Sequence, residues 1–353
     1  MQKIAIIGTT SWGITLGVML ANRSLEVGLW ARTEREAARL RKKGPAPKRF
    51  AGVTFPENLT ITSHIDEALK GARAVVLAVP SATMRQNITQ AAGHLTKTTL
   101  VISAAKGLEV SSKKRMSQVI AEEIKPSCRP NICVLSGPNL AREIQHHLPA
   151  AAVVAAEDQD IARKAQRLLA TPDFCIFTNT DVIGVELGGA LKNIIALGAG
   201  MTDGLGYGDN TKAAFITRGL TEITALGMAL GANPLTFSGL AGLGDVIATC
   251  TSPLSRNHYV GVELGKGRPL AEITTSMTEV AEGINTTLVA RNLAQELGLE
   301  MPITEKIYQV LYEGADPRQA AMELMGGNTK HELSGRRWRL SSLFQRSKRP
   351  SAA

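Results

Sequence analysis

The sequence predicts an α/β fold in two parts: a doubly wound parallel sheet over residues 1–180, then an all-helical part over 181–335. Three observations carry this reading. Short apolar runs of strand length recur through the first part with helix-patterned stretches between them, which is the alternation of βαβ units. The first run, Lys3 to Ile7, passes at once into a glycine-bearing turn and a helix. After Thr180 the alternation stops and helical patterning alone continues.

A chain of 353 residues exceeds the usual single-domain size and is long enough for two cores. Its 44% hydrophobic and 20% charged residues are ordinary for a globular enzyme. The opening MQKIAIIGTT has no long apolar segment of the secretory kind, so a cytoplasmic protein is expected. Cys128, Cys133, Cys175 and Cys250 show no CxxC spacing and are expected as free thiols. His146 and His147 are adjacent and no HExxH occurs, so no metal site is expected.

The net charge of +9 suggests nucleic acid only until its distribution is read. Residues 336–353 hold Arg336, Arg337, Arg339, Arg346, Lys348 and Arg349 with no acid, which leaves +3 on the rest. Such a tail is expected to be a solvated, partly disordered extension. Trp338, Leu340, Leu343 and Phe344 between the cations would also suit an anionic membrane surface.

The first apolar run leads into Gly8-Thr9-Thr10-Ser11-Trp12-Gly13 and an amphipathic stretch to about Asn22. A strand, glycine turn and helix in this order place a pyrophosphate on the helix N-terminus, where free N–H groups and the helix dipole favour anions. This is a Rossmann-like, dinucleotide-binding arrangement. The match to GxGxxG is imperfect, because Thr10 stands where the second glycine allows close approach.

Leu25 to Trp30 follows as a second strand. Ala31 and Arg32 then occupy the place where an acid binds the ribose hydroxyls of NAD, and Arg35 is near. A cation there suits a 2′-phosphate, which favours NADPH over NADH unless Glu34 turns inward. Pro45, Pro47 and Pro56 mark a loop region.

Three further runs keep the alternation: Ala74 to Val79, Thr99 to Ser103 and Asn131 to Leu135. They end at Pro80-Ser81, at Ala104-Ala105-Lys106-Gly107 and at Ser136-Gly137-Pro138-Asn139. Ligands bind such sheets beyond the carboxyl ends of the strands, where Lys106, Gly137 and Asn139 fall. Ala150 to Ala156 and Phe174 to Phe177 read as two more strands around a helix from Asp158 to Leu169.

In the helical part, Lys192 is the one charged residue between Glu186 and Asp203, among Leu187, Leu191, Ile194, Ile195 and Leu197. A lysine kept from water can exchange protons near neutral pH and serve as an acid/base group; the alternative is an ammonium that snorkels to the surface. Gly188, Gly189, Gly198 and Gly200 weaken the helix by about 1 kcal/mol each relative to alanine, which calls for a packing or functional reason. The apolar run reads as shorter than the roughly 20 residues a bilayer crossing requires.

Asp245, the one acid between Glu222 and Glu263, follows a glycine-rich turn and is expected in a pocket. Ser255-Arg256-Asn257 sets a hydroxyl, a guanidinium and an amide together, a combination suited to a phosphate; a capped helix with a solvated arginine is the alternative. The turn Glu279-Val-Ala-Glu-Gly283 has no role readable from its pattern.

Seven stretches in order resemble the bacterial NAD(P)-dependent glycerol-3-phosphate dehydrogenases: SWG (11–13), LSGP (135–138), GALKN (189–193), DGLGYGDNTKAA (203–214), ITRGL (216–220), GLAGLGDVIATCTSPLSRN (239–257) and EVAEGINT (279–286). The resemblance implies reduction of dihydroxyacetone phosphate to sn-glycerol 3-phosphate, which supplies phospholipid synthesis. Lys192 would give the proton to the carbonyl oxygen and take it back in reverse. Lys106, Asn193, Asp245 and Thr249 would line the reacting end, with Lys106 also touching the cofactor. Gly137 and Asn139 would contact substrate, while Ser255, Arg256 and Asn257 would hold its phosphate.

Gly8, Ser11, Trp12, Gly13, Arg32, Ala141, Arg256, Val280 and Glu282 fall at cofactor positions by the same resemblance, which also implies a homodimer. Two departures stand out: Thr9-Thr10 for the usual Ala-Gly, and Asn139 where serine or threonine is common. The resemblance offers no counterpart for the tail. Two other readings are another two-domain hydroxyacid or ketoacid reductase, which would need no phosphate site, and a non-catalytic NAD(P)H sensor, which would need no proton donor.

Overall fold

The computed structural model describes residues 2–45, 50 and 53–326; Pro47, residues 327–335 and the basic tail 336–353 lie outside the described residues. Eight strands form one sheet: β1 (Lys3–Ile7), β2 (Glu26–Trp30), β3 (Leu59–Thr62), β4 (Ala72–Leu77), β5 (Leu100–Ser103), β6 (Ile132–Ser136), β7 (Ala150–Ala155) and β8 (Phe174–Asn179). Their order is β3-β2-β1-β4-β5-β6-β7-β8, with β1 and β4 at the point where the winding reverses.

β1 shows why both faces are apolar. Successive side chains point to opposite faces of a strand. Ile4 and Ile6 join the core under the helices Ser11–Ala21 and Gln159–Leu169, while Ala5 and Ile7 join the core under Met84–Ala92 and Met116–Glu123. β3 is an addition to the sequence reading; four residues, LTIT, are too few for a periodic signal.

The sheet is not wholly parallel. β1 to β6 pair in parallel, but β7 runs antiparallel to β6, with Leu135 opposite Val154, and then pairs in parallel with β8. A parallel neighbour requires a crossover back along the sheet. Between β6 and β7 there is only the five-residue helix Ala141–Gln145, so the chain re-enters from the end at which it left.

Every regular element after β8 is a helix among the described residues. The central one is Val182–Gly204, surrounded by the helices Asp209–Ala229, Asp245–Thr251, Arg256–Gly265 and Gly283–Leu297. At 23 residues with mean hydropathy 1.5 it is long and apolar enough to cross a membrane, contrary to the shorter run read from sequence. Burial accounts for its apolarity: 89% of its apolar window is inside the fold.

The glycines have a packing reason. A Cβ on Gly200 would lie 2.1 Å from the His258 carbonyl oxygen, and one on Gly261 would lie 2.0 Å from that of Leu197. The central helix and Arg256–Gly265 therefore cross backbone to backbone. This crossing brings Ser255, Arg256 and Asn257 to the level of Lys192 and Asn193.

Candidate active site

A cleft of about 570 Å³ opens between the carboxyl ends of the parallel strands and the helical part. The sheet side supplies Ser11 and Trp12 after β1, Lys106 after β5, and Asn139 and Ala141 after β6. The helical side supplies Lys192 and Asn193, Asp245 and Thr249, Ser255 to Asn257, and Val280 and Glu282.

Its floor is a charge cluster. Asp245, 2% exposed, accepts from Lys192 Nζ at 2.8 Å on one carboxylate oxygen and from Lys106 Nζ at 2.6 Å on the other. Asp245 and Thr249 share a helix face at i, i+4, and Thr249 Oγ1 donates to Asp245 at 3.2 Å while accepting from Lys192. Lys106 also donates to the Gly137 carbonyl at 2.7 Å.

Lys192 is buried, so it does not snorkel. Its helix seats against β6 through Gly189, where a Cβ would lie 2.3 Å from Ser136 Oγ. The ammonium one turn further on thus enters the cleft.

Two lysines around one carboxylate leave a net positive site away from water, attractive to an anion. Desolvation pushes the Lys106 ammonium down to about 8; Asp245 opposes this, and the neighbouring Lys192 charge adds to it.

The candidate phosphate residues meet at one end of the cleft, each with a protein partner. Ser255 caps its helix by accepting from the His258 N–H at 3.2 Å. Asn257 donates to Asn193 Oδ1 at 2.9 Å and accepts from the Gly283 N–H at 2.9 Å. Arg256 donates to the Val280 carbonyl at 3.0 Å and pairs with Glu279 at 3.3 Å. Asn139 differs: both polar side-chain atoms are buried without a hydrogen-bond partner among the described residues.

Facing Arg256, and joined to it through Glu279, lies the N-terminus of Ser11–Ala21. Thr10, in the second-glycine place, lines the cleft with its hydroxyl engaged by the protein: it accepts from the Gly13 N–H at 3.1 Å and donates to the Ala78 carbonyl at 2.8 Å. The turn is tight, since a Cβ on Gly13 would lie 2.1 Å from the Gly8 carbonyl oxygen. Glu279 accepts from the Ser11 N–H at 3.3 Å and from its hydroxyl at 2.6 Å. One of the protein's own carboxylates thus sits where an anion was expected, and the donor set fits an anionic cofactor group.

Gly8, Gly13, Gly137 and Arg32 do not line the cleft. The first two shape the turn, and Gly137 acts through its carbonyl. Arg32 is exposed beyond β2. Glu34 does not turn inward: it pairs with Arg41 and accepts from Ser63 at 2.6 Å. Glu282 accepts from the Ser81 N–H at 2.9 Å, tying its loop to the end of β4, and desolvation raises its pKa.

Sequence reasoning missed Ser81 and Glu279, which meet partners 201 and 268 positions away. The one available signal was a pair of acids flanking Val280.

A profile described as the NAD-dependent glycerol-3-phosphate dehydrogenase N-terminus matches residues 3–162, and one described as the C-terminus of the same family matches residues 181–322. The chain belongs to this family. A "Glycerol-3-phosphate dehydrogenase [NAD(P)+]" from Dehalococcoides mccartyi is 61% identical, covering 98% of this chain and 97% of its own. That coverage carries the match into the tail, for which the resemblance had offered no counterpart.

The solved glycerol-3-phosphate dehydrogenase of Coxiella burnetii is 34% identical with a TM-score of 0.87, over 92% of this chain and 99% of that one. A PanE/ApbA family ketopantoate reductase from Ralstonia eutropha, 16% identical with a TM-score of 0.57 over 92% of this chain and 100% of that one, shares the fold alone.

Proposed function

We propose that this chain reduces dihydroxyacetone phosphate to sn-glycerol 3-phosphate with NADH or NADPH, reversibly, with Lys192 as the proton donor. The observation that carries the assignment is the Lys106–Asp245–Lys192 cluster in the same cleft as an anion-binding helix N-terminus and Arg256. Reduced nicotinamide, when bound, supplies the hydride that goes to C2 of the ketone.

Each ammonium has three N–H donors. Lys192 spends two on Asp245 and Thr249, and Lys106 two on Asp245 and the Gly137 carbonyl. One N–H on each remains for a substrate oxygen. As negative charge develops on the carbonyl oxygen, both ammoniums stabilise it, and Lys192 Nζ transfers its proton to give the alcohol. The neutral Nζ left behind is the base for the reverse reaction. Asp245 keeps the two cations together and orients both.

Residues 1–180 hold the cofactor and 181–335 the substrate, with Lys106 bridging the two. Asn193, Asn139 and Thr249 stand near the reacting carbon, while Ser255, Arg256 and Asn257 receive the phosphate. Arg32, exposed beyond β2, favours NADPH. The protein works as a cytoplasmic homodimer.

The test is loss of reduced-nicotinamide absorbance with dihydroxyacetone phosphate, set against unphosphorylated dihydroxyacetone. Turnover confined to the phosphorylated ketone is expected. Equal turnover of both would refute the phosphate assignment and favour a hydroxyacid-type reductase.

A further inference from the structure

Glu279 lies in the loop between the helices Leu270–Ser276 and Gly283–Leu297, yet its carboxylate reaches across the cleft. One oxygen accepts both from the Ser11 N–H, at 3.3 Å, and from the Ser11 hydroxyl, at 2.6 Å. The other oxygen is 3.3 Å from Arg256. Ser11 is the first residue of its helix, so its N–H is one of those with no partner inside the helix and it sits at the positive end of the dipole. That is the position expected to take a dinucleotide's pyrophosphate. The carboxylate therefore makes the hydrogen bonds that a phosphate oxygen would make.

We propose that Glu279 is an intramolecular anion that competes with the cofactor pyrophosphate for Ser11 and latches the two halves of the cleft together until the cofactor displaces it. This rests on the functional reading above. The capping arrangement beneath it strengthens the case. Thr10 already takes the Gly13 N–H, which leaves the turn fewer donors to share between an internal and an external anion. The two cannot hold the Ser11 donors together, and their like charges repel. Apparent cofactor affinity is reduced by the fraction of molecules with the latch open.

The decisive experiment is calorimetric titration of the cofactor-free protein with NADPH, comparing wild type, Glu279→Gln and Glu279→Asp, alongside thermal unfolding without cofactor. The aspartate keeps the charge but is one methylene too short to reach Ser11 from the same backbone. Both variants are expected to bind NADPH roughly tenfold tighter than wild type, with the cofactor-free protein melting slightly lower.

Tighter binding by the glutamine variant alone would reduce the effect to charge and overturn the contact latch. Unchanged or weaker binding by both would overturn it outright, making Glu279 a structural or cofactor-holding group. Wild type that turns over ketone while the variants bind no tighter sinks the latch alone. Wild type that binds neither NADPH nor NADH sinks the functional reading and the latch with it.

Discussion

The two ends of the cleft are built differently. At the lysine end, Asp245 is 2% exposed, its contacts to Lys106 and Lys192 are 2.6 and 2.8 Å, and Thr249 joins the same knot. At the anion end, Arg256 and Glu279 meet at 3.3 Å with Arg256 half exposed. Buried, doubly partnered ions do not rearrange cheaply, whereas exposed pairs contribute little and exchange readily with solvent or ligand. A fixed charge cluster suits bond-making, since its orientation cost is met on folding; an exchangeable pair suits binding and release. Perturbing the first end should change rates and stability together, and perturbing the second should change affinities.

Asp245→Asn should give the largest effect. It leaves two ammoniums side by side with no counter-ion, and loss of one partner of a buried pair costs about 3–5 kcal/mol. Chemical denaturation should show that loss, with turnover down by on the order of 10³-fold. A stable, active Asp245→Asn would erase the contrast between the two ends.

Gly261→Ala should come next. Its Cβ would fall 2.0 Å from the Leu197 carbonyl oxygen, so the crossing that carries Asn257 to Asn193 must open. A stability loss of about 1–3 kcal/mol is expected, with a raised KM for dihydroxyacetone phosphate. A raised KM without lost stability would place the effect in the site itself.

The alkaline limb of kcat/KM for reduction sharpens the comparison at the lysine end. Lys106 is charged below its depressed pKa of about 8 and loses that charge as pH rises through it. Reduction should therefore weaken above about pH 8. Lys106→Arg, which stays charged, should move this limb upward even though overall activity falls. A limb that does not move would assign it to another group.

The smallest effect belongs to Arg32→Ala. An exposed cation outside the cleft lining should change the NADPH over NADH preference by only a few-fold. Steady-state kinetics with both cofactors at low and physiological salt would measure it.

These contrasts were unequally legible in the sequence. Lys192 stood out because one charge in an apolar helix must be accounted for, and Asp245 because it was the lone acid of its region. That its carboxylate also serves Lys106 could not be read, since Lys106 is 139 positions from it. The glycines of 188–200 signalled close approach without saying to what; the partners proved to be Ser136, Ala241, Phe215 and the backbone of Arg256–Gly265.

The strands were legible where apolar runs were long. The reversal at β7 was not, because direction follows from the connection before a strand and not from its own residues. Glu279 was illegible for the same reason as Ser81: it works on a group at the far end of the chain.

The most direct test of the account is Lys192→Ala, measured by reduced-nicotinamide absorbance with dihydroxyacetone phosphate and by calorimetric titration with NADPH. Turnover should fall by on the order of 10³-fold with NADPH affinity within about twofold of wild type, because the bonds of Lys192 go to Asp245 and Thr249 and not to the Ser11 turn. Turnover within about tenfold of wild type, at full cofactor affinity, would contradict it and remove Lys192 from the proton-transfer step.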